Sequence, residues 1–360
     1  MVAKKYDKKI VISGYYGMSN YGDDLFGLLS YLLYSSYYED VKVSSKKIKT
    51  NYMIRYLNIP IITNGIDRCS RVGAISRVLQ NVIASLFNDE YILAGGSNLC
   101  YNSSVIQRKI PIFTRRLNPR LKIKGIGLSY GPFNDKTEKD TYNEIIKNYS
   151  CLMLRDVASF DEASESSCEN IIPSFDLAIL GKEYFNTSNE KNIGTIGVSL
   201  CHGISDCEVV FLAKKIIDEN LNARIFTLNT HVSLGDFAYT NKLVDIFKCH
   251  GYEKFELVDS KSHTVEGIWE AIGSCEYFFS VRLHGAITAY AQNIPFILYE
   301  YQKKCTDFLD KVGQDNNLII SRSGFEKAID SLFSLDVSPK VNPDFLLEDF
   351  KRKFNKTIEI

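Results

Sequence analysis

Arg282-Leu283-His284-Gly285 sets a fixed cation and a titratable imidazole two residues apart. The strand-like run Tyr277-Phe278-Phe279-Ser280-Val281 leads into it. The small and apolar Ala286-Ile287-Thr288-Ala289-Tyr290-Ala291 leads out of it toward Pro295, which reads as strand, turn and helix. Arg-x-His at a helix start offers positive charge, a proton donor or acceptor, and helix N-terminal amides. These are the ingredients of a site for a phosphorylated or carboxylated small molecule. Pro295-Phe296-Ile297-Leu298-Tyr299 reads as the next strand, and Tyr301-x-x-Lys304-x-x-x-Phe308 opens the helix after it. Arg282 and Lys304 are then either ligands of an anion, or a strand-end cation and a solvated helix residue.

Other residue types with chemical potential sit at strand ends. Gly17-Met18-Ser19-Asn20-Tyr21-Gly22-Asp23-Asp24 is neither a G-x-G-x-x-G fingerprint nor a Walker loop. It supplies Asn20 and Asp23 either to a substrate or to a structural turn with a helix cap. Gly95-Gly96-Ser97 and Gly125-x-Gly127-x-x-x-Gly131-Pro132 bring backbone close to a ligand or to the next helix. Arg155-Asp156 is a salt-bridged pair holding a loop, or a cation facing a cleft. Asp176 suits loop amides as well as a sugar hydroxyl. His202 follows a strand, whereas His231, His250 and His263 read as surface or loop residues.

The elements that position these residues alternate. Strands are expected at Ile10–Ser13, Val41–Val43, Tyr91–Ala94, Lys122–Leu128 and Cys151–Leu154, with helices near Asp24–Ser36 and Glu138–Tyr149. Asp23 or Asp24 is expected near the first helix start as cap and dipole partner. A second block has strands at Ile196–Leu200, Ala223–Thr227 and Phe255–Val258, with helices at Val209–Leu221, Tyr239–His250 and Val265–Ile272. Glycines closing strands, with helices between them, predict an α/β fold of doubly wound parallel sheets. The polar stretch Lys182–Asn192 reads as a linker. The expected organisation is a first Rossmann-like domain over 1–181, the linker over 182–192, a second Rossmann-like domain over 193–335 and a C-terminal helical tail over 336–360. Ligands belong in the cleft where the two sheets face each other.

Composition narrows the function. A chain of 360 residues is long enough for two such cores. The 43 basic and 43 acidic residues cancel, which argues against nucleic acid as the partner. Nine scattered cysteines without a C-x-x-C support neither a zinc site nor a redox pair, and Cys201-His202 with Cys207 is the nearest approach to a ligand cluster. Met1 to Lys9 has no h-region or cleavage site, and no apolar run nears the roughly 20 residues of a membrane span, so a cytoplasmic protein is expected. The 22 tyrosines and 21 phenylalanines suit a sugar-binding cleft, although ordinary cores account for most of them.

Taken in order, these motifs resemble the polysaccharide pyruvyl transferase family. The matching pieces are Gly14-Tyr15-Tyr16-Gly17 with Asn20 and Gly22-Asp23-Asp24, Gly95-Gly96, Gly125-x-Gly127 with Gly131-Pro132, and Arg155-Asp156 with Ser159. Asp176 with Ala178, Arg282-Leu283-His284, Pro295 and Tyr301-x-x-Lys304 complete the series. The resemblance implies a two-domain fold like the GT-B glycosyltransferases, the first domain on the acceptor side and the second on the donor side. It also implies transfer of pyruvate from phosphoenolpyruvate to a sugar as a ketal, in surface or exopolysaccharide biosynthesis, with no metal and no cofactor required. Arg282, Leu283 through its amide, His284 and Lys304 inherit the donor, with His284 as acid/base. Asn20, Asp23, Gly95, Gly96, Arg155 and Asp176 are expected on the acceptor side. Cys201-His202 stands where the family often has an arginine, so His202 is the candidate substitute. The acceptor is expected to be a sugar, an oligosaccharide or a lipid-linked glycan, the last bringing the protein to the inner face of the membrane. Two alternatives compete: a nucleotide-sugar glycosyltransferase holding a ribose through Glu300 or Glu266, and a non-catalytic relative that binds glycan.

Overall fold

Strands buried on both faces need helices on both sides of their sheet, and Ile10, Val11 and Ile12 of the first strand are fully buried. In the computed structural model, which describes residues 6–57, 71–101, 103–186, 191–231, 235–300, 302–314, 324–334 and 339–360, that requirement is met twice. The first half runs β1 (Tyr6–Ser13), α1 (Tyr21–Tyr37), β2 (Tyr38–Ser44), α2 (Arg71–Leu86), β3 (Glu90–Leu99), α3 (Val105–Thr114), β4 (Lys122–Tyr130), α4 (Lys136–Ile146), β5 (Cys151–Leu154), α5 (Val157–Ser164) and β6 (Ile171–Pro173). A 3-10 turn (Leu177–Leu180) and the short α6 (Gly181–Tyr184) follow. The second half runs β7 (Asn192–Ser199), α7 (Asp206–Asp218), β8 (Asn222–Thr227), α8 (Phe237–Cys249), β9 (Phe255–Asp259), α9 (Val265–Gly273), β10 (Cys275–Ser280), α10 (Leu283–Ala291), β11 (Phe296–Leu298), α11 (Lys303–Val312) and α12 (Phe325–Phe333), and α13 (Pro343–Glu359) closes the chain.

Two parallel sheets result, in the orders β2-β1-β3-β4-β5-β6 and β11-β10-β7-β8-β9. Each reverses its winding once, beside β1 and β3 in the first and beside β7 and β10 in the second. Loops diverge at such a switch point and leave a crevice for a ligand. The elements expected from the residues are present, and the fold is the doubly wound α/β type. The stretch read as a linker differs. Its first residues are helical in α6, Lys182 pairs with Asp344 at 3.1 Å, and residues 187–190 lie outside the described ones.

The two halves share a core. One apolar cluster takes in Ile12 and Phe26 from the first half, Trp269 and Ala286 from the second, and Phe350 and Phe354 from α13. The closing helix therefore packs back on the first half: Phe354 meets the ring of Tyr34 edge-on at 5.2 Å. Beneath it, Lys124 and Glu90 form an ion pair at 3.0 Å with both side chains at most 1% exposed. Lys124 Nζ also donates to the Thr357 carbonyl at 2.8 Å, which anchors α13 to β4. Breaking one partner of a buried pair costs about 3–5 kcal/mol. Lys124→Met is expected to destabilise the protein by about 3 kcal/mol in urea unfolding, and adding Glu90→Gln to recover more than half of that loss.

Candidate active site

A cavity of 530 Å³ opens between the carboxyl ends of the two sheets. Asn20 and Asp23 reach it from the start of α1, Gly96 and Ser97 from β3, and Arg155 from the end of β5. Arg282, Leu283 and His284 reach it from the start of α10, and Lys304 from α11. Residues read one by one along the chain as candidates therefore meet at a single place. Five cations line it (Arg77, Arg108, Arg155, Arg282, Lys304) against one carboxylate, Asp23.

His284 is packed rather than solvated. Its ring meets Phe26 edge-on at 4.7 Å, and Nδ1 lies so close to Gly22 that a Cβ there would stand 1.9 Å from it. Phe26 in turn leaves no room for a side chain at Gly95, which holds a φ of +68° with its would-be Cβ 2.4 Å from the ring. These two glycines let backbone close on an aromatic–imidazole pair. Nε2 is buried without a hydrogen-bond partner among the described residues, and the nearest carboxylate oxygen, on Asp176, is 3.9 Å away. Burial first, then the charges of Arg155, Lys304 and Arg282, hold the imidazole pKa well below its ordinary value. This favours the neutral form of the ring.

Two of the arginines, Arg282 and Arg155, arrive with their own carboxylates. Arg282 donates through Nε to Asp236 at 2.9 Å and through a second nitrogen to the other oxygen of the same group. Asp236 is 1% exposed, and its own amide donates to the Asn229 carbonyl at 2.8 Å. Arg155 donates to Asp176 at 3.0 Å and to Ser129 at 2.7 Å. Burial raises the pKa of both carboxylates, opposed in each case by the partner arginine. Lys304 is pushed down, by burial and then by Arg155. Asp23, half-buried in the cavity wall and hydrogen-bonded by Asn20 Nδ2 at 2.6 Å, is raised to about 6 by desolvation, although Lys304, Arg155 and Arg282 oppose the shift.

Several expectations need correcting. The first helix starts at Tyr21, and neither aspartate caps it. Asn20 occupies the cap position without a side-chain cap bond, and Asp24 instead accepts the Gly17 amide at 2.6 Å, folding the glycine turn. Gly95 sits behind Phe26 and Asp176 behind Arg155, so neither lines the cavity; Asp176 also accepts the Ala178 amide. His202 is exposed on the loop after β7 and is not in the cavity wall, although the charge of Arg282 contributes, after burial, to lowering its pKa. Glu266, a ribose candidate on the glycosyltransferase reading, is taken up by Thr50 and the Asn51 amide. Glu300 is taken up by Thr306. Tyr301 lies outside the described residues. Arg77, Arg108 and Asp236 escaped the sequence reading: the first two sit mid-helix, and only the Gly235-Asp236 turn before α8 hinted at the third.

Against this geometry, the family model for polysaccharide pyruvyl transferase matches residues 20–303. The chain belongs to that family. No curated protein matches it in sequence. Among solved structures it resembles UDP-GlcNAc 2-epimerase from Methanocaldococcus jannaschii (10% identity, 99% of this chain and 100% of that one, TM-score 0.60). It also resembles the S. aureus MnaA–UDP co-structure (11% identity, 91% and 88%, TM-score 0.59). The Neisseria meningitidis UDP-GlcNAc 2-epimerase bound to UDP-GlcNAc is a third likeness (9% identity, 98% and 100%, TM-score 0.58). At these identities the likeness establishes the GT-B fold alone. Among the described residues no helix is long and apolar enough to cross a membrane.

The packing of His284 against Gly22 can be tested without substrate. Its ring resonances are expected to stay those of neutral imidazole from pH 8 down to pH 6 in an NMR titration. Lys304→Met, by removing a nearby charge, should move the titration to higher pH. Gly22→Ala should displace the ring and bring the titration toward the ordinary value.

Proposed function

We propose that this member of the pyruvyl transferase family transfers pyruvate from phosphoenolpyruvate to two hydroxyls of a sugar as a ketal, in polysaccharide biosynthesis. The observation that carries the reading is the set of cations gathered around a neutral imidazole at the uncapped start of α10. Arg282 and Lys304 suit the phosphate and carboxylate of the donor, with the Leu283 amide as a further ligand. Arg155 stands on the opposite wall, fixed by Asp176. His202, exposed and outside the cavity wall, is given no part in holding the donor.

The reaction needs a proton delivered to the methylene carbon, which makes C2 electrophilic, and a base for the attacking hydroxyl. Loss of phosphate and attack by the second hydroxyl close the ketal. Two protons leave the sugar; one ends on the new methyl group and the other on phosphate, and no redox partner is needed. Carboxyl and imidazole groups whose pKa values are driven toward each other's roles mark such assignments. A neutral His284 is a base, and its buried Nε2 suits a hydroxyl proton. Asp23, raised to about 6, is the group that can hold a proton to give. An acid or base so placed contributes roughly 10²–10⁴-fold. Asn20 orients Asp23, and Gly96 lets the acceptor approach.

Phosphoenolpyruvate is expected to raise the melting temperature of the wild type, with about 2.7 kcal/mol of stabilisation at a hundredfold excess over its dissociation constant. Lys304→Met and Arg282→Ala should each lose the shift, the former without leaving Asp236 unpaired. A response to UDP-sugars and none to phosphoenolpyruvate would replace the pyruvyl reading with glycosyl transfer. Once turnover is measured, kcat/KM should fall as pH rises through about 6, where Asp23 loses its proton, and Asp23→Asn should abolish both that limb and most of the activity.

A further inference from the structure

A second cavity, of 680 Å³, adjoins the first and shares Ser97 and Lys304 with it. Its volume lies within the ~300–1,000 Å³ typical of small-ligand sites. The loop after β4, the start of α5 and the start of α11 enclose it, and the rings of Tyr101, Tyr130 and Phe133 contribute to its wall. The partition between the cavities is polar and ordered. Arg155 donates to Ser129, which lines the second cavity, and to Ser97, which lines both.

The two cavities differ in charge in a way that sorts their ligands. The first sets five cations against one carboxylate and suits an anion. The second sets four lysines against four carboxylates and cancels. A polyanion gains nothing there, whereas a neutral polyhydroxylated molecule finds acceptors and donors for its hydroxyls and aromatic rings for its C–H faces. Resting on the pyruvyl transfer reading, we infer that this second cavity holds a neutral pyranose of the acceptor, whose reactive hydroxyls pass over Ser97 and Lys304 to the donor. The acceptor is then uncharged at the sugar that receives pyruvate, and any phosphate it carries lies farther along the glycan.

The probes are methyl glucoside, galactoside and mannoside and the corresponding pyranose 1-phosphates, followed by saturation-transfer NMR on the full chain with phosphoenolpyruvate present. At least one methyl glycoside is expected to bind. Phe133→Ala should weaken it at least tenfold while leaving the melting shift caused by phosphoenolpyruvate unchanged. Phe133 also packs on Tyr130 and Tyr142, so Tyr101→Ala, at a 45% exposed ring, repeats the test where the fold is not at stake. The inference is overturned if no methyl glycoside binds, or if binding survives both substitutions. It is equally overturned if only the 1-phosphates bind and inorganic phosphate displaces them, which would put the sugar in the cationic cavity. Absence of the melting shift in the wild type counts against the donor assignment, and glycoside binding without donor still reports on the cavity.

Discussion

Like charges drawn together out of water repel, and the repulsion grows as the local dielectric falls. The first cavity gathers Arg155, Arg282 and Lys304 on its walls, and the rest of the site follows from making that arrangement stable. A carboxylate behind each arginine, Asp176 and Asp236, neutralises it from the protein side while the cavity still sees a cation. The carboxylates bear the desolvation in turn, which is why both are shifted upward. His284 answers the same field by staying neutral. A site wired this way has its positive potential in place before a ligand arrives, and such preorganisation is what makes fixed charge effective in catalysis.

The charges come from both halves of the chain, so their spacing depends on how the halves are joined. Main chain joins them. The Tyr21 amide donates to the Leu228 carbonyl at 2.8 Å, and the Thr230 amide to the Ser19 carbonyl at 2.9 Å. Ser260 Oγ bonds the same Ser19 carbonyl at 2.6 Å. Just beyond, the Asn229 carbonyl takes the amide of Asp236, the residue that holds Arg282. One short path of backbone bonds thus runs from the base of Asp23 to the partner of Arg282. Gly95, Phe26 and Gly22 of the first half pack in turn on His284 of the second, a second path between the halves that ends at the imidazole.

The alternation of strand and helix, and the gathering of strand-end residues, were legible because parallel strands write their period and their closing glycines into the chain. Arg282, His284, Lys304, Asn20, Asp23, Gly96 and Arg155 were found by that logic, and all line one cavity. What escaped was whatever depends on side-chain partners distant in sequence. Asp236 pairs with a residue 46 positions away, and the turn before α8 marks its place without announcing its partner. Arg77 and Arg108 sit on α2 and α3, where an arginine on a helix face reads as solvated. His202 was misleading for the converse reason: a strand end marks a neighbourhood, but the direction of the loop decides which side chains enter it. Gly95 and Asp176 belong to the site at one remove, as support for Phe26 and Arg155.

The docking of α13 on the first half bears on how the protein is made. Phe350 and Phe354 complete a core that also contains residues of β1 and α1, and Lys124 waits for the carbonyl of Thr357. A chain emerging from the ribosome makes its first sheet before its second, yet cannot bury that first sheet's last apolar face until α13 is synthesised. Its first half therefore resembles an intermediate with exposed apolar surface while the second half is being made, the condition under which larger proteins aggregate or recruit chaperones. The fold links completion of its first sheet to the arrival of a helix made after both sheets, so one closing step consolidates both.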